Sequence, residues 1–96
     1  MKFAGFDWDS GNLSKCLEHG VALGQIEALF AGDVYIVRDT VVAGERRTLA
    51  FGAGAGRWIF CVFTWRDEKV RPVSVRFMHD KEVKRHVEAV SRSEDR

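Results

Sequence analysis

Apolar positions recur along the chain with two different periods. Leu13, Cys16, Leu17 and Gly20 fall at i, i+3, i+4 and i+7, the stripe of a short amphipathic helix. Asp9 or Ser10 can cap its start, because a short polar side chain accepts from the free N–H groups of the first turn. Gly20 is its stop signal. Leu23, Ile26, Leu29 and Phe30 predict a second helix, stopped by Gly32. Ahead of both helices, the aromatic segment 3–7 suits an edge strand. The period then shifts towards two. Residues 34–37 are β-branched and aromatic, hence a strand, and the polar stretch 38–45 predicts a loop. Arg47, Leu49 and Phe51 share a face of the next strand. The Gly-Ala-Gly-Ala-Gly run at 52–56 has no Lys/Ser pair and no helix after it, so it reads as a turn and not as a phosphate cradle. Residues 57–65 are apolar on both faces and predict the central strand. A charged turn at 66–69 leads to a last strand at 70–77, where Pro72 implies an edge position or a bulge. Val83, His86, Val87 and Val90 mark a final helix over about 80–90. The order β-α-α-β-β-β-β-α predicts an α+β fold: one antiparallel sheet with two N-terminal helices and one C-terminal helix packed on it. The domain is expected to span 1–90, with a polar tail at 91–96 that frays.

Composition narrows this reading. Ninety-six residues leave room for one core. A chain 46% hydrophobic and 30% charged is neither disordered nor low-complexity. No apolar run approaches the ~18–20 residues of a membrane span, and the start lacks the apolar stretch of a secretory signal. Cys16 and Cys61 have no paired-ligand spacing and fit reduced thiols in a cytoplasmic protein. The net charge is only +1. Its distribution is uneven: residues 1–45 carry three basic against seven acidic side chains, and residues 46–96 carry twelve against seven. The arginine-rich second half suggests an anionic partner, unless the two halves interleave in space and the charges mix.

Candidate chemistry sits on the later strands. Arg71, Ser74 and Arg76, with Thr64 and Arg47, can stand side by side on one sheet face. Guanidinium groups fit phosphate oxygens, and fixed cations lower the barrier where charge grows on a phosphorane. The commonplace alternative is that exposed strand arginines pair with carboxylates. Arg71 has the parity of Val73 and Val75, so it shares a face with Arg76 only if Pro72 marks a bulge. Histidine is the candidate acid or base. His19 ends the first helix on a stripe with Asn12 and Lys15, where it could equally serve the helix dipole. His79 precedes Glu82 by three residues, the spacing of a capping box. His86 lies on a stripe otherwise made of valines and faces the sheet, as a catalytic group or as a half-buried histidine bonded to backbone. There is no metal-ligand spacing, and both cysteines belong to the core.

Several segments, in order, resemble a known family. Phe6-Asp7-Trp8-Asp9, then Asn12, Lys15-Cys16 and His19-Gly20-Val21 resemble the opening of the BrnT toxins. Ile26-Glu27-Ala28-Leu29-Phe30 resembles their second helix. Gly44-Glu45-Arg46-Arg47, Ala50-Phe51-Gly52 and Val62-Phe63-Thr64-Trp65-Arg66 resemble their strands. Arg71-Pro72-Val73-Ser74-Val75-Arg76-Phe77-Met78-His79, with Lys81-Glu82, resembles a variant of their last strand. The resemblance covers roughly residues 6–87. It implies a RelE-like ribonuclease toxin that needs no metal or other cofactor and inhibits translation. It implies RNA as substrate and a BrnA-like ribbon-helix-helix antitoxin, with operator DNA reached only through the antitoxin. Arg47, Arg71, Arg76, His86 and His19 are then the expected catalytic residues. Lys15, Thr64, Ser74, His79 and Lys81 are the expected RNA contacts. The alternative is a non-catalytic homologue that uses the same face to bind the antitoxin.

Overall fold

The computed structural model describes residues 1–94. Helices α1 (Ser10–Leu17) and α2 (Leu23–Ala31) precede strands β1 (Tyr35–Val42), β2 (Glu45–Gly54), β3 (Arg57–Arg66) and β4 (Lys69–Phe77). The last helix, α3, runs through Asp80–Glu82, a π segment Val83–Val87, and Glu88–Glu94. The strands form one antiparallel sheet in the order β1-β2-β3-β4. The expected α+β arrangement, two helices before the sheet and one after, is what the chain adopts.

Tight hairpins shape the sheet. Ala43–Gly44, Ala55–Gly56 and Asp67–Glu68 all have positive φ. Two such residues in succession make the turn whose twist matches paired strands. The predicted loop at 38–45 is therefore wrong: β1 runs to Val42 and turns within two residues. The segment hid its strand character because seven of its eight residues are exposed, so no in-out alternation marks it. The predicted turn at 52–56 is also shorter, because β2 continues to Gly54. A Cβ on Gly52 would lie 2.7 Å from the Asp33 carbonyl oxygen, and one on Gly54 would lie 2.2 Å from that of Gln25. These glycines seat α2 on the sheet.

The helix ends also differ from expectation. Helix α1 stops at Leu17, which leaves His19 in the following turn, before Gly20 at φ 83°. Helix α3 continues past Val90 to Glu94; of the expected tail, residues 95–96 lie outside the described residues. Residues 3–7 make a single parallel bridge, Phe6 to Val70. Backbone bonds from Ala4 to Glu68 and from Asp7 to Val70 lay this segment along β4.

The sheet has a core on each side. On one face Cys16, Ile26, Leu29 and Phe30 pack against Ile59, Cys61, Phe63 and Val75. On the other, Phe51, Phe60 and Met78 meet Val83, Val87 and Val90 of α3. Burial pushes the Cys16 thiol up to about 11 and raises that of Cys61, as core cysteines require. Asn12 fastens α1 to β4. Its amide donates to the Asp7 and Pro72 carbonyls at 3.0 and 2.9 Å, while its oxygen accepts from the Asp9 N–H at 2.8 Å. Asp9 in turn accepts from the Gly11 and Asn12 N–H groups, completing a reciprocal N-cap.

Candidate functional site

A break in register decides which strand residues meet. Val62 pairs with Ser74, but the next residue, Phe63, pairs with Pro72, so Val73 is an extra residue on β4. The condition set by Pro72 is thus met by a bulge beside it. Arg71 stands opposite Thr64, Ser74 opposite Val62 and Arg76 opposite Phe60, all on one face. Arg47 joins that face through Leu49, which pairs with Val62.

The expected site residues gather in two clefts at opposite ends of β4. Arg71 and Arg76 pair with Thr64 and Phe60, four residues apart on β3, which sets them roughly 13 Å apart along the sheet at ~3.3 Å per residue. The first cleft, of ≈ 280 Å³, is lined by Asn12, Lys15, Arg47, Thr64, Arg66 and Arg71, with Glu45 as its carboxylate among the described residues. The second, of ≈ 430 Å³, is lined by His19, Arg57, Arg76, Phe77, Met78 and His79. His86 belongs to neither. Its ring lies 5.7 Å from that of Phe51 and 5.4 Å from that of Phe60, in a groove between α3 and β1. Ser74 and Lys81 line neither cleft.

The arginines differ in how far they are already engaged. Arg76 grips Glu82 with both Nη atoms at 2.7 Å, a charge-assisted fork. Arg76, and then the His79 N–H at 2.9 Å, hold the Glu82 carboxyl down to about 2. Glu82 thereby closes half of the capping box expected at His79, whose side chain makes no cap bond. Arg71 is 14% exposed and pairs with Asp9 at 2.8 Å and Asp7 at 3.7 Å. The Asn12 N–H, and then Arg71, lower the Asp9 carboxyl. Arg57 has no carboxylate partner among the described residues and lies 3.6 Å over the Phe77 ring. Lys15 and Arg47 also lack one, and the buried Nε of Arg47 has no hydrogen-bond partner. The Thr64 hydroxyl is spent on the Arg46 carbonyl at 2.6 Å.

Two imidazoles, and a guanidinium with no carboxylate partner among the described residues, line one cleft and can move protons and stabilise an anion. A sequence profile described as "Ribonuclease toxin, BrnT, of type II toxin-antitoxin system" matches residues 8–82. The chain belongs to the BrnT family. It is a ribonuclease toxin of a BrnT/BrnA type II toxin-antitoxin system, so its activity is RNA cleavage and it has a cognate antitoxin. No curated protein and no solved structure matches the chain significantly. No helix among the described residues is long and apolar enough to cross a membrane. The stretch that matches the BrnT profile holds every residue lining the two clefts, and His86 lies outside it.

Sequence reasoning missed Arg57 and Arg66. Arg57 opens β3 directly after the Ala55–Gly56 turn and reaches Phe77 at the far end of β4. Hairpin spacing alone could have suggested this approach, but the bulge at Val73 hides the register between the two strands.

Proposed function

We propose that this BrnT toxin cleaves RNA in the cleft of His19, Arg57, Arg76 and His79, without a metal ion. The observation that carries the reading is the meeting of two histidines from different elements with Arg57, a guanidinium with no carboxylate partner among the described residues. One histidine takes the proton of a ribose 2′-OH, whose oxygen then attacks the neighbouring phosphorus. The bond from phosphorus to the 5′-oxygen breaks, and the other histidine protonates that oxygen. Arg57 faces the charge that builds on the phosphorane. Arg76, tied to Glu82, positions the wall of the cleft. The products are a 2′,3′-cyclic phosphate and a 5′-hydroxyl.

In the other cleft Lys15 and Arg47 hold another phosphate of the same strand, by charge alone. His86 packs as an aromatic ring against Phe51 and Phe60. Family membership supports the rest: a BrnA-like ribbon-helix-helix antitoxin, operator DNA contacted through it, and inhibition of translation in the cytoplasm. The test is cleavage of a labelled single-stranded RNA in excess chelator across a range of pH. His19→Gln and His79→Gln each slow cleavage about 10²-fold or more, and each removes one limb of a bell-shaped profile, with Tm unchanged. Full activity in both variants would overturn the assignment. A wild-type chain that leaves RNA intact would instead favour the protein-binding role.

A further inference from the structure

Strand β1 is the free edge of the sheet, guarded only by a register shift between Ile36 and Arg38 and by the charges of Arg38 and Asp39. No described strand pairs with its outer side, so past the irregularity at Val37 alternate N–H and C=O groups from Arg38 to Val42 point outward unpaired. It contains no proline and no lysine, the usual blunting residues. Instead Ile36, Val37, Val41 and Val42 are exposed, Ile36 at 56% and Val41 at 72%. Beside it runs a groove of ≈ 530 Å³ between β1 and α3, lined by Ile36, Val37, Phe51, Arg85, Ala89 and Val90 among others. An edge so built is a template for an added strand.

We infer that β1 and this groove take an extended, apolar and acidic segment of the cognate antitoxin, which adds to the sheet as a fifth strand. Charge points to an acidic occupant. Arg38 and Arg85 flank the site with no carboxylate partner among the described residues, while Asp39 is already held by Arg46 and Thr48. Charge also argues against a second copy of this chain. Symmetric antiparallel pairing sets one residue against its own copy. Centred on Arg38 or Asp39, it opposes like charges, which is unfavourable. Centred on Val37 or Thr40, it opposes apolar residues to Arg38 and Asp39. The inference rests on membership of a toxin-antitoxin family and not on the assignment of the catalytic cleft, so either can fail alone.

The test compares backbone hydrogen exchange in the free toxin and in its purified complex with the cognate antitoxin. Amides among residues 36–42 should exchange at least tenfold more slowly in the complex. Val41→Lys places a charge on the edge at a solvent-facing position. It should weaken antitoxin binding at least tenfold, with RNA cleavage and Tm unchanged. Equal exchange of these amides in both states, or undiminished binding by Val41→Lys, would overturn the inference. So would a free toxin that is already a dimer with β1 protected.

Discussion

Glu82 performs two tasks with one carboxylate. It caps α3 through the His79 N–H and holds Arg76 in a fork. The cap was legible in the sequence because it depends on residues three apart. The fork was not, since it depends on where β4 ends relative to α3. Under the proposed mechanism Arg76, which already has a carboxylate, positions the cleft while Arg57 faces the phosphate. Arg71 is likewise tied by Asp7 and Asp9. The Glu82 carboxyl lies far below its ordinary value of 4.5, at about 2. Its folded form favours the charged state, so its stabilisation is present above about pH 4.5 and lost as pH falls through about 2. Glu82→Gln should therefore lower Tm at neutral pH and flatten the decline of Tm between those limits. An acid titration of both proteins by calorimetry checks this; parallel curves would contradict it.

At the scale of elements, the helices were legible through their apolar period, although Leu17 and Leu23 of the expected stripes are exposed. Strands β3 and β4 were legible through their apolar faces. Of β1 only the start, within the strand expected at 34–37, was legible; from Arg38 an edge exposed on both sides carries no alternation, and the loop expected there reflects polarity without burial. The glycine run misled in a different way: Gly52 and Gly54 are strand residues whose missing side chains admit the backbone of α2. Gly54→Ala would set a methyl group 2.2 Å from the Gln25 carbonyl oxygen, and should cost about 1–3 kcal/mol as an overpacked contact. Gly24→Ala, on α2 with nothing within 4 Å, should be neutral or slightly stabilising. Denaturant unfolding of the two variants separates packing from helix propensity; equal stability would contradict the seating role.

Over the whole molecule, the acidic first half and the basic second half do mix. Asp39 pairs with Arg46, Glu45 with Arg66, and Asp7 and Asp9 with Arg71. The imbalance in the sequence is therefore largely neutralised where the halves touch, and the cations left over matter most. Lys15 and Arg47 remain in one cleft, and Arg57 with His19 and His79 in the other. The sequence pointed to the residue types and to most of the positions. It did not reveal the partition into two clefts, because that depends on the bulge at Val73 and on the course of α1 along β4. On the proposed mechanism the cleft of His19, Arg57 and His79 breaks the RNA chain. The most direct measurement is the single-turnover cleavage rate of one labelled RNA, in chelator, by the wild type and by Arg57→Ala. Arg57→Ala should lose about 10²–10³-fold, with an unchanged Tm and cyclic phosphate ends on the wild-type products. Undiminished cleavage by Arg57→Ala, with the loss appearing instead in Arg47→Ala, would contradict it.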